Sequence, residues 1–419
     1  MADSDSFSST PPPPTLELRD LTAASVIGRG ARGVVFLACS RTSGETLALK
    51  AISRSAVSGE PGGSAYRRIW FERDALLALQ HPLLPTLRGV VSTEKIIGFA
   101  MDHCPGGDLN SLRLRQTENM FSNDIILFYA AELVIVLDYL HELGIVYRDL
   151  KPENVLIQEN GHIMVIDFDL STKLPTALLR PQSPFQQPES TESKKNEKKK
   201  KKKKKFRQLL LCNCYSDNAG DPPENYDDSD LQQQSPTAKS NSFVGTEDYV
   251  APEIITGTGH DFAVDWWCLG VMLYEMLYGR TPFRGQNRKE TFYRILTKTP
   301  ELVGESTALR DLIGRLLEKD PKRRIAGEEI RRHEFFRGVD WESVVYVARP
   351  PFIPAAAEWK EGIEEGLNVE RIVEEISADA RSPKRKVSEG HHAQGVRNCA
   401  KTGEFDIIKI IFVKFNFYN

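Results

Sequence analysis

The stretch that decides the fold is YRDLKPEN at residues 147–154, followed by DFD at residues 167–169. It places a carboxylate, Asp149, next to cationic side chains and an amide, and an apolar run at 163–166 precedes a second carboxylate, Asp167. Phosphoryl transfer needs such parts, because one carboxylate orients the attacking hydroxyl while an asparagine and another carboxylate hold Mg²⁺ on the phosphates. We therefore expect Asp149 to be the catalytic base, and Asn154 and Asp167 to bind Mg²⁺.

The bulk composition limits the possible partners and compartments. The chain has 419 residues, and its net charge of −3 argues for neither nucleic acid nor a membrane surface as a partner. Six scattered cysteines without a signal-like N-terminus indicate reduced thiols, so we expect a cytoplasmic or nuclear location. No run of about 18 apolar residues predicts a membrane span. Residues 1–17 are expected to be a disordered leader.

A glycine-rich segment, GRGARG at residues 28–33, precedes the β-branched run VVFLA at 34–38. The dinucleotide-binding form of this segment must open a helix, so the strand that follows argues against that fold. A hairpin flap over ATP fits better, because glycine lets the backbone approach phosphates. Lys50 lies in the next strand-like run and could reach those phosphates. A solvated strand lysine is the alternative, but its apolar flanks argue against it.

Two further segments complete the predicted nucleotide site. Residues 66–80 have helical periodicity and carry Glu72, which we expect to pair with Lys50 and fix its ammonium group. Without that pairing Glu72 would be an ordinary helix-surface carboxylate. Residues 101–108 follow two predicted strands around 93–95 and are expected to link two domains. A strongly apolar helix is predicted at 123–143.

The parts, taken in order, resemble the eukaryotic protein kinases over residues 20–350. The lysine in DLKPEN is typical of serine/threonine kinases. The motifs YRD, SFVGTEDYVAPE at 242–253 and RPPFIP at 349–354 resemble the AGC group. DFD with a long basic insertion resembles the plant branch of that group, and other motifs are most similar to its kinases induced by oxidative signals. This resemblance implies a role in oxidative-stress or defence signalling.

The resemblance implies an α+β, bilobal protein-kinase fold with a small β-rich N-lobe and a larger helical C-lobe. The N-lobe would cover residues 18–103 and the C-lobe residues 104–338. Residues 171–240, rich in Pro, Ser, Gln and Lys, are expected to be a disordered basic insertion in the C-lobe. Residues 339–419 would form an AGC-type tail.

The resemblance also assigns roles to individual residues. Asp149 matches the catalytic base and Lys151 the γ-phosphate partner, while Arg148 would pair with a phosphate on Ser242 in the activation loop. Glu253 and Arg324 match a structural ion pair. Asp108 and Glu153 match acids that bind a basic substrate residue. The residues expected to bind ATP are Ile27, Gly28, Gly30, Gly33, Val35, Ala48, Lys50, Glu72, Met101 (at the gatekeeper position), Cys104 and Asp108.

Two positions depart from the kinase pattern. Tyr147 replaces a histidine, and AGC kinases often carry a tyrosine at this position. Asp169 replaces the glycine of DFG, reduces the conformational freedom of the loop and adds a carboxylate near the metal. Since Lys50, Asp149, Asn154 and Asp167 are intact, an active kinase is expected. The alternative is a kinase-fold pseudoenzyme that acts as a scaffold, or an interaction module recruited to a membrane or to the nucleus.

The targeting signals remain open on sequence alone. The eight lysines at 198–205 suit a solvated loop, nuclear import or, beside LLLCNC at 209–214, an anionic membrane surface. No specific nucleic acid is expected as a partner, and the chain is expected to be a monomer. Phe412-Val413-Lys414-Phe415 has the spacing of a motif that docks on the N-lobe or on the upstream phosphoinositide-dependent kinase. An atypical terminus without docking function is equally compatible.

Overall fold

The computed structural model describes residues 14–30, 33–58, 64–174, 240, 242, 244–347, 350–354 and 366–381. Residues 198–205, residues 209–214 and the Phe412–Phe415 motif lie outside the described residues, so the expectations for them stay predictions. No helix in the described part of the chain has the length and apolar character needed to span a membrane.

The N-terminal part is a six-stranded sheet with the strand order β1-β5-β6-β4-β3-β2. β1 runs parallel to β5, and the other neighbours are antiparallel. The expected leader therefore ends earlier than residue 17, because Thr15 and Leu16 pair with Val90 and Val91. The strands are β1 (Thr15–Leu16), β2 (Leu21–Arg29), β3 (Val34–Ser40), β4 (Thr46–Ser53), β5 (Leu87–Ser92) and β6 (Ile96–Asp102).

Alternation along the strands gives this sheet two different faces. Val34, Phe36 and Ala38 of β3 are buried in one cluster, which we call the outer face, together with Leu47 and Leu49 of β4. The intervening residues of both strands lie on the opposite face, toward the cleft between the lobes. Two helices follow β4: α1 (Arg54–Val57) and α2 (Ser64–Ala78). The helix predicted at 66–80 is thus confirmed, and its Ile69 and Leu76 are buried in the main core.

The C-terminal part is helical and is built around two buried helices. α4 is the predicted apolar helix and lies in the main core, and α6 packs on both α4 and α8. Gly270 permits the second contact, since a Cβ there would lie only 2.8 Å from Cβ of Leu316. The helices are α3 (Leu109–Leu114), α4 (Asn123–Glu142), α5 (Pro252–Thr256), α6 (Ala263–Tyr278), α7 (Arg288–Thr297), α8 (Ala308–Leu316) and α9 (Glu328–Arg331). The expected two-lobe, α+β architecture is confirmed.

Two small antiparallel pairs frame the loops that carry the chemistry. β8 (Val155–Ile157) pairs with β9 (Ile163–Val165), and β7 (Ile145–Val146) pairs with β10 (Thr172–Lys173). The expected insertion at 171–240 therefore begins after β10. At its other end, Ser240 exchanges two backbone hydrogen bonds of 2.9 Å with His260. These ladder bonds fix the chain on both sides of the insertion.

The tail contains an amphipathic helix, α10 (Val369–Arg381), which packs on the outer face of the sheet. Val369 and Val373 are 4% and 0% exposed there. The N–H of Leu367 donates to the carbonyl of Ala23 in β2 over 2.8 Å, which aligns the helix entry with the sheet edge. Part of the expected tail is therefore an integral piece of the N-lobe.

Polar contacts join the same helix to the turn between β5 and β6. The hydroxyl of Thr93 donates to Glu370 over 2.6 Å, and Nζ of Lys95 lies 3.1 Å from a carboxylate oxygen of Glu374. The second pair is about half exposed and is a weak contact in water. The apolar face therefore carries most of the attachment of α10.

Candidate active site

Lys50 lies on the cleft-side face of β4 and contacts two carboxylates. Its Nζ donates to Oε1 of Glu72 over 2.6 Å and to Oδ1 of Asp167 over 3.1 Å. Burial alone would lower the pKa of Lys50, but the two carboxylates raise it above its ordinary value, so the ammonium stays charged. The predicted Lys50–Glu72 pair is confirmed, and Asp167 joins it.

The glycine-rich hairpin closes through a hydrogen bond of 2.9 Å from the N–H of Gly30 to the carbonyl of Gly33. A Cβ on Gly33 would lie 2.7 Å from the carbonyl oxygen of Ala51, so β4 itself requires a glycine there. A Cβ on Gly28 would lie in ordinary contact with Val35, 3.4 Å away. Tight packing of the hairpin is thus a second reason for glycine at Gly33, besides access to phosphates.

The apolar residues expected to enclose a nucleotide occupy the same side of the sheet as Lys50. Val35 pairs directly with Lys50, and Ala48 pairs with Met101 on β6. Ile27 is 47% exposed at the end of β2. The sheet register therefore brings Val35, Ala48 and Met101 to one wall of the cleft.

The segment at 101–108 connects the sheet to the helical part, as expected of a hinge. Cys104 is buried, with its Sγ 3.5 Å from the sulfur of Met164. Burial raises the pKa of the Cys104 thiol to about 12, so it stays protonated. A Cβ on Gly106 would lie 2.6 Å from Cβ of Ile157, and glycine here lets the hinge lie against β8.

Asp108 does something that the sequence did not predict. Its carboxylate accepts from both the backbone N–H and the hydroxyl of Ser111, each over 2.7 Å, and so forms the N-cap of α3. Capping occupies both oxygens with the free donors of the first helical turn. In this arrangement Asp108 caps α3, and its expected contacts with ATP and with a basic substrate residue stay predictions.

The loop at 147–154 arranges its polar side chains around Asp149, which is 7% exposed. Oδ2 of Asp149 accepts from Nζ of Lys151 over 2.7 Å and from Nδ2 of Asn154 over 2.9 Å. Its Oδ1 accepts from the hydroxyl of Thr246 over 3.0 Å, and Lys151 also donates to that hydroxyl over 3.0 Å. Sequence reasoning missed the part played by Thr246, which lies 97 residues from Asp149 and is joined to it only by the fold.

The two expected metal ligands fit a divalent cation. The amide nitrogen of Asn154 donates to the backbone carbonyl and side chain of Asp149, which leaves its amide oxygen as the group that could bind a metal. The side chain of Asp167 is 40% exposed despite its bond to Lys50. Burial alone would raise the pKa of the Asp167 carboxyl, but the charge of Lys50 holds that pKa below its ordinary value. In the described chain no group of three or more His, Cys, Asp or Glu side chains could hold a metal. Phosphate oxygens and water would complete the coordination, because Mg²⁺ usually takes only one or two carboxylates from the protein.

Comparison with known proteins agrees with this geometry. The protein kinase domain model matches residues 21–199 and 228–336, which is more than half of the chain. This chain belongs to the protein kinase family. The prediction of a bilobal kinase from its motifs is therefore confirmed.

The relatives narrow the group to which the kinase belongs. It is 54% identical over 386 residues to the serine/threonine-protein kinase OXI1 of Arabidopsis thaliana, covering 89% of this chain and 88% of OXI1. It is 42% identical over 371 residues to the Arabidopsis serine/threonine-protein kinase UCN, with 83% and 87% covered. Phototropin-2 of Oryza sativa subsp. japonica is 40% identical over 340 residues, which are 80% of this chain and 34% of phototropin-2. The expected serine/threonine protein kinase of the AGC group is confirmed.

Tyr147 ties the catalytic loop of the kinase to the residues before Asp167. Its hydroxyl donates to the carbonyl of Ile166, and its ring meets that of Phe168 edge-on at 5.6 Å. Asp265 of α6 fixes the backbone of the loop, because its carboxylate accepts from the N–H groups of Tyr147 and Arg148 over 2.9 and 2.7 Å. The sequence did not indicate this use of a fully buried carboxylate.

Asp169 does not disturb the conformation of this loop. Among the non-glycine residues described, only Glu118, Asn119, Arg148 and Asp167 have positive φ. Asp169 is not one of them, so its side chain does not meet the strain that a left-handed conformation would impose. The glycine of the common motif is not needed for this state of the kinase.

Arg148 reaches from the catalytic loop to the end of the activation loop. Its Nη1 donates to the hydroxyls of Ser242 over 2.6 Å and Ser240 over 3.1 Å, and its Nε donates to the carbonyl of Leu170 over 2.6 Å. Burial lowers the pKa of Arg148 to about 10, but the guanidinium remains charged at neutral pH. Ser242 is exposed. The pairing of Arg148 with this serine follows the prediction.

The predicted structural ion pair of the C-lobe is also present. Nη1 and Nη2 of Arg324 contact the two carboxylate oxygens of Glu253 over 2.7 and 3.0 Å, and both side chains are almost fully buried. Glu153, in contrast, is exposed, and its charge adds to the effect of partial burial in raising the pKa of the Glu275 carboxyl. Glu275, which sequence reasoning missed, is itself paired with Arg113 over 2.9 Å.

Proposed function

We propose that this kinase uses Asp149 to orient a serine or threonine hydroxyl of a protein substrate for attack on the γ-phosphate of ATP. The observation that carries the proposal is the convergence of Lys151, Asn154 and Thr246 on the carboxylate of Asp149, in the same cleft as the Lys50–Glu72–Asp167 cluster. These contacts fix the carboxylate before substrate arrives, and preorganised groups lose little on binding.

The other residues of the cleft have distinct roles in this proposal. Lys50, held by Glu72, would bind the α- and β-phosphates, and Lys151 the γ-phosphate. Ile27, Val35, Ala48, Met101 and Cys104 would enclose the adenine, while Gly28, Gly30 and Gly33 form the flap over the phosphates. Mg²⁺ held by Asn154 and Asp167 would supply positive charge to the phosphate oxygens.

Replacement of the base tests this assignment. We expect Asp149→Asn to lower kcat by about 100-fold or more, because general-base groups of this type contribute that much. Peptide phosphorylation with Mg²⁺ and ATP is the assay, and Asp124→Asn at an exposed position of α4 is the matched control. Equally poor phosphate incorporation by wild type and Asp149→Asn would favour the scaffold function, whereas equal and measurable rates for the two variants would remove Asp149 as the base.

Activation by phosphorylation at Ser242 forms the second part of the proposal. Ser242 is exposed and its hydroxyl already contacts Arg148, so a phosphate there would gain a charged partner without rearrangement of the loop. An upstream phosphoinositide-dependent kinase, or the kinase itself, would add it. Mass spectrometry and the activity of Ser242→Ala, compared with Ser343→Ala in the tail, would test this step.

The input is proposed to be oxidative-stress or defence signalling, by similarity to OXI1 and to the motifs of its branch. Burial raises the pKa of Cys104 and of Cys268, which keeps both thiols protonated and poorly reactive. These two cysteines are therefore poor sensors, and the signal would arrive through Ser242. Kinase recovered from peroxide-treated cells should carry more phosphate at Ser242 than kinase from untreated cells.

The location is proposed to be cytoplasmic, with recruitment to an anionic membrane surface or to the nucleus through Lys198–Lys205. A tagged chain lacking residues 194–205 should lose whichever enrichment the full chain shows. An unchanged distribution would mean that the lysine run has no targeting function.

A further inference from the structure

A buried histidine adjoins the regulatory arginine. Nε2 of His260 lies 3.4 Å from Nη1 of Arg148, the same nitrogen that contacts the hydroxyls of Ser242 and Ser240. His260 is 2% exposed, and its two backbone bonds to Ser240 hold it beside the end of the activation loop. Three uncharged acceptors thus surround one guanidinium nitrogen.

The donor pattern fixes the charge state of this histidine. A guanidinium nitrogen can only donate, so Nε2 of His260 must accept, and its proton must lie on Nδ1. Burial, together with the positive charge of Arg148, lowers the pKa of His260 to about 4. His260 is therefore neutral while Ser242 carries no phosphate.

No carboxylate offsets the charge of the guanidinium by a direct contact. Within the described residues, no Asp or Glu oxygen lies within ion-pair distance of the side chain of Arg148. Asp265 accepts from the backbone N–H groups of Tyr147 and Arg148, and its carboxylate lies 2.8 Å from Nε2 of His141. Arg68 on α2 adds further positive charge and contributes to the lowered pKa of Arg148. The guanidinium therefore has no carboxylate in direct contact, and one neutral base able to take up a proton lies beside it.

We propose that His260 is a phosphate ligand of this pocket, which gains a proton when Ser242 is phosphorylated and then binds the phosphate together with Arg148. The inference rests on the proposed phosphorylation of Ser242. A phosphate brings about two negative charges into contact with Arg148. The added negative charge offsets the repulsion from Arg148, which together with burial keeps the imidazole neutral, and it attracts a proton to the imidazole.

The neighbouring charges determine the direction of the pH effect. Arg148 opposes protonation of His260, while Glu253, Asp265 and Asp261 favour it. A phosphate on Ser242 would add to the negative charges that favour protonation and would raise the pKa of His260. The imidazolium–phosphate contact would therefore form at low pH and be lost as pH rises through that raised pKa. Control by Ser242 would then be stronger in a mildly acidic cell than in an alkaline one.

The test uses the full chain with phosphoserine introduced at position 242 during translation. ³¹P NMR from pH 5 to 9 should give a phosphate pKa about one unit lower in this protein than in phosphorylated His260→Gln, because an adjacent cation stabilises the dianion. The NMR signal of the His260 imidazole is identified as the one that is absent from His260→Gln. This signal should shift between pH 5 and 8 only in the phosphorylated protein. Ser240→Ala is the control, since it removes a neutral neighbour of Arg148 but keeps the imidazole.

Identical phosphate titrations in wild type and His260→Gln, or an imidazole signal that phosphorylation leaves unmoved, would overturn the proposal. The imidazole measurement uses the unmutated pocket, so a misfolded variant cannot hide the result. Kinase activity is recorded in parallel. If phosphoserine at 242 fails to raise activity while the two titrations remain coupled, the activation proposal fails and His260 still stands as a phosphate ligand.

Discussion

Val373→Ala tests whether the tail helix stabilises the N-lobe. Val373 is completely buried between α10 and the outer face of the sheet, where Phe36, Leu47 and Leu49 are its neighbours in one cluster. The substitution removes two buried methyl groups and leaves a small cavity, so we expect a loss of about 2 kcal/mol in the free energy of unfolding. For a protein of this size the corresponding fall in Tm is about 2 °C.

Thermal denaturation and hydrogen exchange together give the measurement. If α10 detaches before the sheet unfolds, its own amides and those of β2 should exchange faster in the variant even where Tm changes little. Val303→Ala is the matched control, because it makes the same chemical change at a valine that is 64% exposed. Equal Tm and equal exchange in the two variants would refute the structural role assigned to α10.

Three further substitutions address the site and the core. Glu72→Gln should lower kcat/KM for ATP, because it removes one of the two carboxylates that position the ammonium of Lys50; steady-state kinetics measure this. Glu253→Gln should cost about 3 kcal/mol or more in stability, since it leaves the guanidinium of Arg324 buried without its charged partner; urea denaturation measures this. His81→Asn should reduce the loss of stability between pH 7 and pH 5, because burial lowers the pKa of His81 to about 4 and the unfolded state therefore takes up protons first as pH falls.

Each of these three substitutions has a control or an outcome that would contradict it. Glu159→Gln alters an exposed carboxylate, and a kcat/KM equal to that of Glu72→Gln would show that Lys50 does not need its partner. For the ion pair, Glu328→Gln changes an exposed salt bridge on α9 and should be almost neutral. If His81→Asn and wild type lost the same stability between pH 7 and pH 5, His81 would not be the source of that loss.

The motifs predicted the centre of the site because their chemistry depends on local spacing. Asp149, Lys151 and Asn154 lie close together in one loop of the sequence. Lys50 and Glu72 lie on a strand and a helix whose periodicity is visible in the sequence. Thr246 and Asp265 reach the same loop across 97 and 117 residues, a juxtaposition that only tertiary packing creates. Both residues lie in segments that resemble kinase motifs, but no spacing rule on a single chain indicates their contacts with this loop.

Two local features escaped the sequence-based prediction for a similar physical reason. The motif predicts that Asp108 contacts ligand or substrate, but it does not indicate that the carboxylate also accepts from the unpaired donors at the start of α3. Residues 339–419 were predicted only as an AGC-type tail, although Val369, Ile372, Val373 and Ile376 have the spacing of an amphipathic helix. That pattern predicts a helix, but not which apolar surface it will cover.

The attachment of α10 also has a consequence for the order of folding during synthesis. The strands of the sheet leave the ribosome first, whereas Val369 and Val373 follow about 270 residues after β6, a delay on the order of tens of seconds at common rates of translation. Throughout that interval the outer face of the sheet is exposed to solvent and to other nascent chains. The kinase therefore completes its first lobe with one of its last segments, and chains that stop before residue 369 should depend on chaperones to remain in solution.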